Sequence, residues 1–233
     1  MISIERKASM TAGNGHSSLS RWVFEEIRDR INDGRLAAGD SLSERDLGAE
    51  LQVSRVPIRE ALPMLEAAGL VSLSPRRPAV VTRVSRSGVN QLYDIRSALE
   101  PLAARRAAAA IASGKSPERL SAALRAAAGA LASGALSDFH KQSGAIHSEI
   151  EQLCGNDLLG VLMDPLRERS NRLNVANIHQ DPQARHAEHV SLVEAIVQGD
   201  IDLASSLAYA HVEWGRRRTF KTLSSVPGFE PDS

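Results

Sequence analysis

The sequence predicts a mostly α-helical chain in two parts: an amino-terminal trio of short helices with a small β-hairpin, then a carboxy-terminal all-α bundle of about six helices. Three observations carry that expectation. Apolar residues recur at helical spacing through Trp22, Val23, Ile27 and Ile31, and every long segment from Val89 onward has helical character. Turn signals built from glycine, asparagine, aspartate and proline punctuate these segments. Two short β-prone runs, Leu70–Ser74 and Ala79–Arg83, flank Pro75-Arg76-Arg77-Pro78, which reads as a hairpin with a basic tip.

The elements follow in order. Residues 1–17 read as a disordered tail, 18–84 as the first domain, 85–88 as a linker, 89–222 as the helical domain and 223–233 as a flexible tail. Ser20 is the expected cap of the first helix, which stops near Asn32-Asp33-Gly34. Ser43 caps the second, with Asp46 three residues on and Leu47 and Leu51 as its apolar positions. Gln52-Val53 makes a tight turn, and Ser54 caps the third helix, whose buried face is Ile58, Leu62 and Leu65. Pro57 sits in the first turn, where no intrahelical bond is lost. Pro63 lies deeper and removes the bond to the Arg59 carbonyl, at a cost of roughly 3 kcal/mol. The helix is therefore expected to kink there or to end early.

The six later helices are expected near 88–113, 116–134, 137–153, 156–178, 182–198 and 200–222, with breaks at Gly114, Gly134, Gly155-Asn156, Asp181-Pro182 and Gly199-Asp200. The run Ala107–Ala110 is low in complexity, but alanine is the best helix former, so ordinary helix packing accounts for it.

Composition narrows the function. A 42% hydrophobic content over 233 residues supports a real core and excludes global disorder. Only 3% is aromatic, so that core is mostly Leu, Ala, Val and Ile. The 28 basic residues balance the 28 acidic ones, which argues against indiscriminate nucleic-acid binding and leaves room for one positive docking face. The single cysteine, Cys154, excludes an internal disulfide and reads as a small buried residue. The first residues lack the apolar run of a signal peptide, and no apolar run approaches a membrane span, so a cytoplasmic location is expected.

The residues that carry chemistry come next. Arg55 and Arg59 stand four apart at the start of the third helix, on one face. A helix that presents guanidinium groups from its first turn suits the DNA major groove. The stretch SERDLGAELQVSRVPIREALPMLEAAGLV resembles the winged helix-turn-helix of the GntR transcriptional regulators. The segments LYDIRSALEPLAARRAA, HSEIEQLCGNDLL, EHVSLVEAIVQGD and AYAHVEW resemble the all-helical effector domain, FCD, of the FadR subfamily. Both halves occur in the right order and together cover residues about 18 to 220.

The resemblance implies a homodimeric repressor or activator. Its helical domain binds a small metabolite, usually a carboxylate, and changes the affinity of the winged domains for operator DNA. On that basis the DNA-contacting residues are Arg45, Ser54, Arg55, Val56, Pro57 and Arg59, with Arg76 and Arg77 at the wing tip. Pro78 departs from the family, which often has glycine near the wing tip, and it removes an N–H there.

The resemblance also implies a divalent metal, zinc or nickel, held in many FCD domains by one aspartate and three histidines. The matching histidines are His147, His189 and His211, while Ser143 stands where the family has its aspartate. That leaves three imidazoles and no anionic ligand. His140 is seven residues from His147, a rise of about 10 Å, so the two cannot share one ion. His16, His140, His179 and His186 read as ordinary surface or core residues.

For the effector, Arg96 matches a family arginine that faces the pocket, and it can also pair with Glu100 one turn on. Ser143, Arg172 and Asn174 complete the expected effector set, with Arg167 on the same helix. Two other readings stay open. One is a metal-dependent enzyme with a helical catalytic domain, for which the three histidines are the sole support: there is no nucleophile elbow, phosphate loop or carboxylate pair. The other is a metal-independent sensor whose histidines bond the effector directly.

Overall fold

The computed structural model describes residues 15–177 and 179–231. Residues 1–14 of the expected amino-terminal tail lie outside them, and the chain is already helical at Gly15. The described residues divide into two compact units. One runs to Ser85 and regains the chain from Val226; the other is Arg86–Ser225.

The first unit opens with α1 (Gly15–Asn32). Ser20 does not cap this helix. It lies inside it, buried, and its hydroxyl bonds the Glu60 carboxylate. The helix therefore starts earlier than its cap signal suggests. Val23, Ile27 and Ile31 are fully buried, as the stripe requires. A short strand β1 (Ser41–Leu42) follows, then α2 (Glu44–Leu51), which Ser43 caps by accepting the Asp46 N–H at 3.4 Å.

The turn into α3 (Arg55–Ala67) is closed by a left-handed Gln52, φ 54° and ψ 46°. The Val53 N–H returns to the Gly48 carbonyl at 3.0 Å and the Gln52 N–H to that of Ala49 at 3.4 Å, the pair of bonds that defines a Schellman ending. A β-carbon on Gly48 would stand 3.0 Å from the Val53 carbonyl oxygen, so a larger residue would press on this close turn. The turn fixes α3 relative to α2.

Pro63 neither ends nor shortens α3, which runs on to Ala67. Pro63 is exposed while Ala61, Leu62 and Leu65 are buried on the other side. The lost hydrogen bond thus falls on the solvent face, and core packing holds the helix through it. The hairpin consists of β2 (Val71–Ser72) and β3 (Ala79–Val81), paired antiparallel with Val71 opposite Val81. Both strands are shorter than the β-prone runs. β1 adds to the other edge of β3, giving the order β1-β3-β2, a third strand the sequence did not announce.

The expected linker and carboxy-terminal tail are also structured. β4 (Val84–Ser85) pairs in parallel with β5 (Phe229–Glu230), and the Arg83 guanidinium meets Glu230 at 2.5 Å. Two-residue strands leave no periodicity in a sequence, so this pairing could not be read from it.

The second unit contains six helices among the described residues: α4 (Arg86–Ala112), α5 (Glu118–Ala132), α6 (Leu136–Cys154), α7 (Asp157–Ala176), α8 (Pro182–Val197) and α9 (Ile201–Thr222). A 3-10 turn, Leu223–Ser225, extends α9 where a loose tail was expected. The breaks fall at the predicted glycines and caps. Asn156, Asp181 and Asp200 each accept a backbone N–H from the first turn that follows, at 3.2, 3.0 and 3.0 Å. Ala107 and Ala108 are fully buried beside Leu120, Ile146 and Ile196, so the alanine run is a close-packed seam of the core. Cys154 is buried in the same core.

Candidate functional site

Two groups of residues have the chemistry of a site, one in each unit. In the first unit, the start of α3 stands open to solvent. Ser54 occupies the cap position without using its side chain on the helix, so its hydroxyl remains available to a phosphate. Arg55 is exposed and has no ion-pair partner among the described residues. Val56 is 51% exposed, unusual for valine and suited to a thymine methyl group. Arg59 is exposed and held by Glu44 at 2.7 Å, an exposed pair that a base edge or phosphate can displace at small cost. Arg45, also exposed, lies on α2 against Asp46 at 2.9 Å. Pro57 is the exception among the expected contact residues. It is buried, in the first turn of α3, where a proline costs no intrahelical hydrogen bond.

The hairpin tip holds Arg76 and Arg77, both exposed. The Arg77 N–H closes the turn on the Ser74 carbonyl at 3.1 Å, and Arg76 takes φ 60° at the third position. A positive φ there is the mark of a type II turn, which normally asks for glycine. Arg76 adopts it with a full side chain, so the turn gives up backbone comfort and gains a cation at its tip.

In the second unit, His147 on α6, His189 on α8 and His211 on α9 converge. One ring nitrogen from each lies within 4.8 Å of the others, and the ring centroids are 4.7 to 5.3 Å apart. Two nitrogens on one tetrahedral zinc stand about 3.3 Å apart, so small side-chain movements would close the three on an ion. His189 supplies the test of fit. It is 1% exposed, yet neither ring nitrogen has a hydrogen-bond partner among the described residues. A buried imidazole left so is costly unless something else takes its lone pair.

Burial favours the neutral, ligating form of His147 and His189. Burial pulls the His147 pKa down to about 4, against the opposing pull of Glu100, and burial also holds His189 well below the ordinary histidine value. His211 Nδ1 meets Glu188 at 2.9 Å, and Glu188 is gripped by both Arg218 nitrogens at 2.5 and 2.8 Å. Burial raises the Glu188 pKa, but the bonds from Arg218 and His211 outweigh it and bring it to about 2. On the other side, His147 Nδ1 lies 3.7 Å from Glu100, which pairs with Arg96 at 2.6 Å. One arginine–glutamate pair is thus hydrogen-bonded to His211, as an orienting partner behind a metal-bound imidazole would be, and a second lies beside His147 without a hydrogen bond to it.

These histidines line a cavity of about 90 Å³. Of the expected effector residues, Arg96, Ser143 and Asn174 line it, as does Arg167. Arg96 takes the alternative partner foreseen for it, Glu100. Ser143 is buried and its hydroxyl has no hydrogen-bond partner among the described residues. Arg172 does not line the cavity. It is buried elsewhere on α7, off the face that carries Asn171 and Asn174, and burial brings its pKa down to about 10. His140 lines the cavity one turn before Ser143 but stands outside the histidine triad, while His186 packs its edge against Phe139.

The sequence reading missed Glu188, Arg218 and Arg185. Arg185 is buried, lines the cavity, and donates from Nη2 to the Asn177 carbonyl at 3.3 Å. No carboxylate lies within ion-pair distance of it among the described residues, and burial with the nearby Arg218 charge lowers its pKa. Its spacing was a signal: Arg185 and His189 are one helical turn apart, and Glu188 directly precedes His189.

A three-helix unit with a basic hairpin, followed by a helical unit with a polar cavity, defines a DNA-binding transcriptional regulator. Residues 19–81 match the model of the gntR family of bacterial regulatory proteins, and residues 91–213 match that of the FCD domain. The chain belongs to the GntR family, in its FCD-containing group, consistent with the FadR-like subfamily. It is 25% identical over 225 residues to an HTH-type transcriptional regulator from an unstable DNA locus of Streptomyces ambofaciens, covering 96% of this chain and 92% of that one. It is 26% identical over 194 residues to the HTH-type transcriptional repressor RspR of Escherichia coli K12, covering 83% and 81%. Its fold is similar to that of E. coli McbR/YncC, with a TM-score of 0.72 at 18% identity, covering 88% of this chain and 98% of that one. These relatives and domains are regulators and not enzymes, and nothing in them supports the metal-dependent enzyme reading. No helix among the described residues is long and apolar enough to cross a membrane.

Proposed function

We propose that this regulator binds operator DNA as a homodimer in the cytoplasm and that a small carboxylate effector in the FCD cavity controls its operator affinity. The observation that carries the reading is the buried His189 with both ring nitrogens unpartnered among the described residues, facing a cavity that also holds Arg185. Such a cavity is built around something it does not itself contain.

Arg55 and Arg59 read guanine O6 and N7 in the major groove, with Val56 against a neighbouring base. Arg45 and Ser54 hold phosphates, and Arg76 and Arg77 reach the adjacent minor groove or its backbone. His147, His189 and His211 hold a divalent ion of the zinc or nickel kind. When bound, that ion supplies positive charge and an open coordination position for an effector oxygen. The chain's own residues do the rest. Glu188 orients the His211 imidazole, while Arg185 and Asn174 anchor the effector.

For the effector to act, it must bind one arrangement of the dimer better than another. The test begins with a duplex selected by the protein from a random library. Its affinity is then measured by fluorescence anisotropy with and without a panel of small organic acids. At least one acid is expected to change operator affinity in the wild type and not in His189→Ala. A panel without effect, or an effect that His189→Ala keeps, would refute the reading.

A further inference from the structure

The open end of α3 is faced by a carboxylate to which the DNA contacts give no task. Glu44 opens α2 directly after the Ser43 cap, where the positive end of a helix favours an anion. Arg59 reaches across from α3 and bonds it at 2.7 Å. Arg59 is exposed and Glu44 partly so, and such a pair adds little to the stability of the fold. An anion beside arginines that meet phosphates also lowers affinity for DNA in general. What the pair does fix is the direction of one guanidinium. Glu44 Oε2 accepts from Arg59 Nε, and neither terminal nitrogen of Arg59 makes a hydrogen bond among the described residues. Arg218, by contrast, gives both of its terminal nitrogens to Glu188. A guanidinium held by Nε keeps its terminal fork free, and that fork is the end that meets guanine O6 and N7. A guanine edge therefore has no need to break the pair in order to be read. Arg55, one turn earlier on the same face, has no ion-pair partner among the described residues. The Nε partner of Arg45 is Asp46, its own chain neighbour, so that pair fixes nothing between α2 and α3.

We infer that Glu44 is a positioning residue that sets sequence discrimination: it holds Arg59 by Nε so that the free end of the guanidinium is preset for a guanine, and its own charge weakens binding to duplexes that offer no such base. The inference rests on the reading of Arg59 above and goes further, to the residue that gives that contact its selectivity. An unbraced arginine must give up its rotamer freedom to meet a base, and it can turn to a nearby phosphate instead. Bracing removes both alternatives before DNA arrives. Discrimination is a difference of two affinities, so a group that weakens the wrong complex more than the right one raises it. Glu44 thus lowers affinity for DNA at large while raising the preference for one base pair.

The full-length chain and its variants, each shown folded by circular dichroism, are titrated by fluorescence anisotropy against the selected operator, its single-base-pair variants and an unrelated duplex. Arg59→Ala locates the base pair that Arg59 reads, as the position where preference is lost. Glu44→Ala is expected to lower discrimination at that same base pair about tenfold, while binding the unrelated duplex about two- to fivefold tighter. Glu44→Gln removes the charge but keeps an acceptor for Nε. It should show the same gain on unrelated DNA and keep most of the discrimination. With Arg59→Ala already in place, Glu44→Ala should change base preference no further. A carboxylate without a positioning role would shift affinity for every duplex by one factor and leave their ratios alone. That result would overturn the inference, as would a Glu44→Gln variant that discriminates no better than Glu44→Ala. Arg59→Ala separates this inference from the reading beneath it. Every base preference kept in Arg59→Ala removes the Arg59 contact and the inference with it; preference lost there but kept in Glu44→Ala overturns the inference alone.

Discussion

Glu188 holds His211 Nδ1 at 2.9 Å, and an ionised carboxylate can only accept. In its metal-ligating form the imidazole therefore donates from Nδ1 and keeps its lone pair on Nε2, the nitrogen available to a metal. Glu188→Gln can present the wrong end of its amide and no longer stabilises charge built up on the ring. We predict zinc affinity about ten- to a hundredfold weaker in this variant, with helix content unchanged, read by chelator competition and circular dichroism. Unchanged zinc affinity would make Glu188 a structural partner only.

Metal removal has its own signature. If an ion satisfies His189, stripping it leaves a buried ring unpartnered, and the native state loses the binding free energy of the ion. Treatment with EDTA should lower the melting temperature of the helical unit, and added zinc should restore it in proportion to its excess over Kd. A melting temperature indifferent to both would speak for a metal-free cavity.

Arg76 offers a separable test of the wing. Its φ of 60° suits glycine and is hardest on a β-branched residue. Arg76→Gly should hold the stability of the first unit, since turn relief and added unfolded-chain freedom oppose each other. Arg76→Val should cost roughly 1 kcal/mol or more. Both remove the same charge, so both should weaken operator binding alike. Thermal melts and anisotropy titrations together distinguish a turn effect from a contact effect.

Much of this architecture was legible in the sequence. Gly155-Asn156, Asp181-Pro182 and Gly199-Asp200 mark helix ends because the chemistry of a cap is local. The three histidines and Arg96 were legible through their resemblance to a family, and the Arg96–Glu100 pair through helical spacing. What stayed hidden depends on packing. Nothing local says that Arg218 reaches Glu188 thirty residues away on the neighbouring helix, or that Arg185 faces the cavity while Arg172 does not. Ser20 reads as a cap by type but serves Glu60 across the unit. Pro63 reads as a breaker, yet its exposed position lets the core carry the helix past it.

Salt offers a count of phosphate contacts. Each neutralised phosphate steepens the fall of affinity with salt, so operator binding should weaken strongly as ionic strength rises. Arg77→Ala, at the exposed wing tip, should lower the slope of log K against log salt by about 1 and weaken all sequences similarly. A slope unaltered by the substitution would place Arg77 away from the backbone.

The account depends most on the exposed Arg55 at the open end of α3, which has no ion-pair partner among the described residues. Anisotropy titration of the selected operator with wild type and Arg55→Ala, both shown folded by circular dichroism, measures this directly. Loss of one bidentate base contact should cost roughly 1–3 kcal/mol and relax discrimination at one base pair. Operator affinity and base preference identical in the two proteins would contradict the assignment of α3 as the helix that reads DNA.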